Sequence, residues 1–162
     1  MVSLSTKFGA ISSTVERSGR TMDPQNSAPT FQGVVSSSYI DHMGHMNVQY
    51  YVHLFDQATW VLFDRVGLSA SYFSATGRGM AALEQHLVYK REVFAGTVVT
   101  IYSRVMEVSD KTVRFVHTME DGQGLIATCE IVGAHFDRAA HRAISFSDDA
   151  RIGFKLQQVM PD

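Results

Sequence analysis

Apolar residues recur at intervals of three and four along the segment that precedes Gly67. They are Val48, Tyr51, Val52, Phe55, Thr59, Leu62 and Val66. This spacing predicts one amphipathic helix of about five turns that begins at Val48 and ends at Gly67. The opposite side of the same segment also carries Tyr50, Leu54, Trp60 and Val61. Because a helix that is apolar nearly all round is buried on more than one side, we expect a sheet to wrap it and another subunit to cover part of it.

Four segments after this helix have the composition of β-strands. They are residues 80–93, 97–108, 112–120 and 125–137. Their β-branched and aromatic residues predict an antiparallel sheet, in which the sequence DGQG forms a hairpin turn. The last of the four is apolar on both faces, which favours a central strand.

Three further segments complete the predicted fold. Residues 30–40 predict a weak first strand, residues 69–79 a loop, and residues 148–159 a final helix whose leading acids suit a helix N-terminus. The fold class is therefore α+β, with one long central helix against an antiparallel sheet.

The first thirty residues differ from the rest in composition. Ser and Thr fill ten of these positions and no apolar period appears. Such a stretch cannot bury enough surface to offset its ordering entropy, and it lacks the apolar core of a secretory signal. We predict a disordered tail over residues 1–30 and one folded domain over residues 31–162, with Met22 as an alternative start.

The composition excludes several classes of protein. The net charge of -2 argues against a nucleic-acid partner, because phosphate binding needs a basic face. No run approaches the roughly 18 apolar residues of a membrane span, so we expect no membrane insertion. One cysteine, Cys129, excludes an internal disulfide and fits a reducing compartment. We expect a cytoplasmic protein in which Cys129 is a buried core residue.

The sequence DHMGHMN, at residues 41–47, stands directly before the long helix and allows three interpretations. The first is a metal site, with Asp41, His42, His45 and His53 as candidate ligands. Neither H-E-x-x-H nor a paired-cysteine pattern accompanies them, so we expect no metal. The second is structural, because Asp41 or Asn47 is a suitable helix N-cap and Gly44 a suitable bend.

The third interpretation uses the same turn for chemistry. A helix N-terminus presents unpaired N–H groups and a partial positive charge, which can hold a carbonyl oxygen as it becomes an oxyanion. A carboxylate just upstream, at Asp41, would then act on the carbonyl carbon as a nucleophile or as the general base for a water. Asn47 would orient that water, and Gly44 would let the backbone approach a ligand. Seven residues alone leave the choice open.

A longer sequence around this turn carries a family resemblance. The sequence YIDHMGHMNVQYYVHLFDQATWVLFDRVGL resembles the signature of hotdog-fold acyl-CoA thioesterases of the 4-hydroxybenzoyl-CoA thioesterase type. The matching positions are Asp41, Gly44, His45, Asn47, Tyr51, Asp56, Ala58, Gly67 and Leu68. The later sequence HLVYKREVFAGTVVTIYSRV resembles the second and third strands of that family. The resemblance covers about residues 31–140.

The resemblance implies a hotdog fold and hydrolysis of an acyl-CoA thioester, without a metal or redox cofactor. It implies that Asp41 is the base or nucleophile and that the backbone N–H of Val48 polarises the thioester carbonyl. The candidate catalytic residues are Asp41, His45 and Asn47, and the candidate substrate-binding residues are Gly44, Met46, Val48, Tyr51 and Glu84. It also implies a homodimer, paired again as a dimer of dimers, with sites between subunits.

One departure points to a subset of the family. Many relatives carry a second Asn where this chain has Val48, and Glu84 with His86 resembles the subset associated with carnitine breakdown, which hydrolyses betainyl-CoA. A quaternary ammonium group binds in an aromatic cage. Candidates for that cage are Tyr50, Trp60, Tyr72 and Phe73, for each of which ordinary core or interface packing is the more common explanation. Glu84 is either a partner for the cation, a second catalytic carboxylate or a surface acid.

Two other functions fit the same fold. A non-catalytic acyl-CoA binding or sensing module would bind the thioester without turnover. A hydratase or dehydratase would need a histidine and an acid arranged across a double bond and would not need Asp41.

The candidate basic residues for binding the coenzyme A phosphates are Arg78, Lys90 and Arg91.

Overall fold

The computed structural model describes residues 28–158, so most of the predicted tail lies outside the described residues. The helices are α1 (Val48–Arg65), α2 (Ala70–Thr76) and α3 (Asp148–Leu156). The strands are β1 (Phe31–Val34), β2 (Arg78–Tyr89), β3 (Val98–Val108), β4 (Thr112–Asp121), β5 (Gly124–Asp137) and β6 (Arg142–Ala143). None of the described helices has the length and apolar character needed to cross a membrane.

The sheet is antiparallel and curls around α1. Its strand order is β1-β3-β4-β5-β2, with β6 paired to β5. The inner face packs on α1 through Ile101, Phe115 and Met119, all fully buried. One long helix held in a curled antiparallel sheet is the hotdog fold, so the predicted fold class is confirmed. The position of β5 between β4 and β2 confirms its prediction as a central strand.

Helix α1 begins at Val48, as its sequence predicts. The residues it buries are Tyr51, Leu54, Phe55, Ala58, Thr59, Leu62 and Phe63. Leu54, on the side opposite the predicted stripe, is 3% exposed and therefore buried within this chain. Val48 and Val52, which belong to the predicted stripe, are 59% and 36% exposed. The stripe that faces the sheet is centred on Phe55 and Leu62, which leaves the two valines at its margin. Trp60 and Val61 add to an apolar exposed side of the helix.

Two segments differ from their prediction because short elements carry little periodicity. The first strand ends at Val34, and residues 37–39 form a 3-10 helix capped by Ser36. The predicted loop at 69–79 contains α2, which starts at the N-cap Ser69 and stops at Gly77 in the left-handed conformation.

A buried chain of polar side chains ties α1 to the sheet. The hydroxyl of Thr59 donates to the Phe55 carbonyl at 2.9 Å and accepts from Nε2 of His117 at 2.8 Å. Ser103 lies 2.6 Å from Nδ1 of His117 and 2.6 Å from the hydroxyl of Thr30. His117 is fully buried, and this burial lowers its pKa from 6.5 to about 3. The imidazole is therefore neutral and both of its nitrogens are satisfied.

Candidate active site

A tight turn precedes α1 and brings the predicted catalytic residues together. The backbone N–H of Asp41 donates to the His45 carbonyl at 3.1 Å, and that of Gly44 donates to the Asp41 carbonyl at 2.9 Å. Gly44 has φ +86°, a left-handed conformation that favours glycine. The predicted role of Gly44 as the bend is therefore confirmed by its backbone.

The turn is anchored to the core on its C-terminal side. Met46 is 1% exposed, and its N–H donates to the Val93 carbonyl at 2.7 Å. The N–H of Asn47 donates to the Tyr39 carbonyl at 2.9 Å. The structure thus places the side chain of Met46, predicted to bind substrate, inside the core beneath the turn.

The carboxylate of Asp41 is held by two donors. Its Oδ1 accepts from the backbone N–H of Met43 at 2.8 Å, and its Oδ2 accepts from Nδ2 of Asn47 at 3.1 Å. The Met43 N–H, the Asn47 amide and the nearby His45 and His42 all favour the charged form, and together they hold the pKa of Asp41 below its ordinary value. The carboxylate is therefore ionised throughout the neutral range.

Asn47 also forms the N-cap of α1. Its Oδ1 accepts from the N–H of Gln49 at 3.1 Å, and its carbonyl accepts from the N–H of Tyr50 at 3.0 Å. The N–H of Val48, first in the helix, has no acceptor within the helix itself. One asparagine therefore joins an ionised carboxylate to the positive end of a helix dipole. This arrangement can hold an acyl oxygen on backbone N–H groups while Asp41 supplies a base or nucleophile.

The other predicted residues lie around the turn in different ways. His45 is half-buried, with Nε2 3.8 Å from a carboxylate oxygen of Glu92. Tyr51 is 4% exposed, and its hydroxyl donates to the Arg91 carbonyl at 3.5 Å. Tyr51 therefore connects α1 to the segment that follows β2. Burial, the largest effect, raises the pKa of Tyr51. Within residues 28–158, no three His, Cys, Asp or Glu side chains are grouped as a metal site.

Glu84 lies on the sheet face away from α1. Gln85 lines the inner face and donates from Nε2 to the sulfur of Cys129 at 3.4 Å. Neighbouring residues of a strand point to opposite faces, so Glu84 points outward. A bulge between Ala82 and Glu84 sets this register. Cys129 is fully buried, as predicted, and burial raises the pKa of its thiol.

A cavity of about 450 Å³ lies between α1 and the strands β2 and β5. Gln49, in the first turn of α1, is the lining residue nearest to the N-cap in sequence, and Asp41 is not among the lining residues. The side chains that give the wall its chemical character are Gln49, His53, Asp56, Trp60, Phe63 and Phe115. Sequence reasoning matched Asp56 to the family signature without giving it a role, and it missed Phe63 and Phe115. The spacing of Trp60 and Phe63 by three residues was the available signal.

Only Trp60 of the four predicted cage residues lines this cavity. The ring of Tyr50 stacks on that of Tyr39, with ring centroids 4.2 Å apart. The hydroxyl of Tyr72 forms hydrogen bonds with the side chains of His135 and Arg78. Phe73 is 9% exposed, and its ring packs against the rings of Tyr72 and Trp60.

Two of the three basic candidates for coenzyme A are paired within the chain. Arg78 donates to the hydroxyl of Tyr72 at 3.1 Å, and Arg91 forms an ion pair with Asp121. These bonds raise the pKa of both guanidinium groups. Both arginines therefore have structural partners in this chain.

Fold and site together define the class of protein. The chain matches the model of the thioesterase-like superfamily over residues 35–154, and it belongs to that superfamily. It is 33% identical over 113 residues to the L-carnitine dehydrogenase/betainyl-CoA thioesterase of Agrobacterium fabrum, a match that covers 68% of this chain and 23% of that protein. It is 27% identical over 90 residues to the betainyl-CoA thioesterase of Pseudomonas aeruginosa, covering 56% of this chain and 57% of that protein. The chain thus spans less than two thirds of the length of either relative.

The fold is also similar to solved structures. A Staphylococcus aureus protein, solved in complex with CoA, superposes with a TM-score of 0.75 at 21% identity. The match covers 82% of this chain and 86% of that one. At this identity the likeness concerns the fold.

Proposed function

We propose that this chain hydrolyses an acyl-CoA thioester to a carboxylic acid and coenzyme A. The observation that carries the proposal is the link through Asn47, which holds the ionised Asp41 beside the N-terminus of α1. The superfamily, the betainyl-CoA thioesterases among its relatives and the CoA bound to a protein of the same fold support thioester chemistry.

In this proposal the thioester oxygen rests against the N–H of Val48, at the positive end of α1. Negative charge grows on that oxygen as the carbonyl carbon is attacked, so the helix N-terminus stabilises the transition state more than the ground state. His45 and Gly44 shape the turn around the acyl carbon. Met46 and Tyr51, both buried, hold the turn and helix in place beneath it.

Asp41 can act by two balanced routes. As a nucleophile it forms an anhydride with the acyl group and releases the coenzyme A thiolate, and water then hydrolyses the anhydride. As a base it takes a proton from water, whose oxygen attacks the carbonyl before the thiolate leaves. A single turnover in ¹⁸O-water tests for the anhydride, because attack of water on its Asp41 carbonyl transfers ¹⁸O to the Asp41 side chain, which the base route never does. Both routes need only the side chains and water, so we propose that no metal or cofactor takes part.

The acyl group is proposed to be a quaternary ammonium acid of the betaine type. Support comes from the names of the two relatives and from the cavity that Gln49, in the first turn of α1, helps to line. Glu84 lies on the outer sheet face, so in this proposal it contacts substrate only through the neighbouring subunit.

We propose that the chain works as a homodimer, paired again as a dimer of dimers. Strand β2 ends the described sheet order and holds 12 residues, and an edge of that length is a template for pairing with a second copy. Val61, exposed on α1, would be covered by the partner subunit. Sedimentation of the purified chain tests the assembly.

The direct test is release of thiol from a panel of acyl-CoA thioesters by the purified full chain. The panel contains betainyl-CoA, an aromatic acyl-CoA and fatty acyl-CoAs of several lengths. Turnover of at least one thioester, with betainyl-CoA the best, is expected. Stoichiometric binding without turnover would contradict the proposal and favour a binding or sensing module.

A further inference from the structure

The cavity beside α1 combines a carboxylate with aromatic rings. Nε1 of Trp60 donates to Oδ2 of Asp56 at 3.2 Å, which fixes the carboxylate one helical turn from the indole. Phe63 packs edge-on against Trp60, with ring centroids 6.1 Å apart, and against Phe115, 5.7 Å apart. Among the described residues of the cavity wall, Asp56 is the one that carries a carboxylate, and no lysine or arginine joins it.

This combination suits a particular ligand chemistry. A quaternary ammonium group has no N–H to donate, so hydrogen-bond acceptors do not recognise it, whereas aromatic faces and a nearby negative charge do. A neutral acyl group of the same shape would meet only the rings. We infer that Asp56 and Trp60 form the site that selects a quaternary ammonium group on the acyl part of the substrate. The inference rests on the proposed thioesterase function and names the residues that set its specificity.

In this inference the acyl group extends along α1 from its N-terminal turn toward Asp56. Gln49, Val52 and Asp56 line the same cavity, so it follows the helix over its first turns. The rise of a helix puts the Cα of Asp56 about 12 Å beyond that of Val48, and helix side chains lean back toward the N-terminus. Because Coulomb attraction falls only with the inverse of distance, the carboxylate still acts on a cation about 6 Å away. A longer spacer between carbonyl and nitrogen brings the cation closer to Asp56.

Binding can be measured without turnover, because Trp60 is the single tryptophan of the chain. The full chain is titrated with glycine betaine and with 3,3-dimethylbutanoate, in which a carbon replaces the nitrogen. A saturable change of fluorescence with glycine betaine is expected, at least tenfold tighter than with the neutral isostere. Asp56→Asn should lower the affinity for glycine betaine at least tenfold. Equal binding of both ligands by the wild-type chain would overturn the inference.

The matched control variant lies on the same helix. Asp64 is exposed on α1 and lies outside the cavity wall, so Asp64→Asn removes the same charge without touching the site. Its affinity for glycine betaine should stay within about twofold of the wild-type value, because Asp64 does not line the cavity and lies about two helical turns beyond Asp56. If Asp64→Asn and Asp56→Asn lowered the affinity for glycine betaine equally, the effect would come from overall charge, and the proposed cation site would be overturned.

Kinetics supply a second readout. With betainyl-CoA and 3,3-dimethylbutanoyl-CoA as substrates, Asp56→Asn should lower kcat/KM for the cationic thioester at least tenfold more than for the neutral one. Relative to the neutral thioester, the loss of kcat/KM should be larger still for 4-(trimethylammonio)butanoyl-CoA, whose longer spacer brings the cation closer to Asp56. Equal losses on all three would show a structural role for Asp56 and overturn the inference. If the wild-type chain hydrolysed none of them, the proposed function would fail, while the titration would still decide on the cation site.

Discussion

The side-chain amide of Asn47 donates to the carboxylate of Asp41 across 3.1 Å, while the oxygen of the same amide caps α1 through the N–H of Gln49. One residue therefore sets both the position of the carboxylate and the start of the helix. The two functions separate on substitution, because an N-cap needs only an acceptor, whereas Asp41 needs a donor.

Asn47→Asp keeps the cap and removes the donor. A second carboxylate beside Asp41 disfavours ionisation, so the pKa of Asp41 should rise. Asn and Asp cap equally well, so the helix start should be kept, but repulsion between the two carboxylates should lower the unfolding free energy at neutral pH. This loss should shrink as the pH is lowered and one carboxylate becomes protonated. The acid limb of the pH profile of kcat/KM should move to higher pH. Asn47→Ser, which adds no charge, should shift this acid limb less. An unchanged pH profile for Asn47→Asp would argue against the contact between Asn47 and Asp41.

Gly44→Ala tests the left-handed turn. The φ of Gly44 is +86°, and an added Cβ would meet nothing within 4 Å, so the cost is backbone strain alone. We expect a loss of roughly 1 to 2 kcal/mol in unfolding free energy, together with lower turnover as the turn shifts. Gly44→Asn should recover part of both, because Asn tolerates this conformation. If chemical denaturation gave the same unfolding free energy for Gly44→Ala and Gly44→Asn, backbone strain at residue 44 would be ruled out as the cause.

His117 makes stability depend on pH. The unfolded chain binds a proton on this imidazole below about pH 6.5, whereas the folded chain binds it only near pH 3. The unfolded state therefore holds more protons in this window, and unfolding free energy falls as pH is lowered, by up to about 1.4 kcal/mol per pH unit. Denaturation of wild type and His117→Asn between pH 7 and 5 measures this slope. A slope that is the same in both would contradict the assignment.

The long helix and the turn could be predicted from sequence because their signals are local. Asn47 is a strong N-cap, Gly67 ends the helix, and the apolar period between them spans five turns. The sheet could be predicted in the same way, from the DGQG hairpin turn and from the alternation of apolar and polar residues in the strands. Helix α2 was missed because seven residues show no clear period, although Ser69 and Gly77 at its ends are ordinary cap signals.

The cavity could not be predicted because it depends on distant parts of the chain. Phe63 and Phe115 meet across 52 positions of sequence, through the curl of the sheet around α1. The orientation of Glu84 was also out of reach. Strict alternation from Ala82 would turn Glu84 inward, but the bulge between them turns it outward and Gln85 inward. Alternation along a strand does not reveal where a bulge falls.

The central claim is that the carboxylate of Asp41 performs the chemistry at the N-terminus of α1. The most direct measurement is the steady-state hydrolysis of the best acyl-CoA by Asp41→Asn, with the exposed Asp64→Asn as control. We predict a fall in kcat of at least about 100-fold in a variant that remains folded at the assay temperature, which is the scale of a lost catalytic acid or base. A kcat for Asp41→Asn within about threefold of the wild-type value would contradict the account.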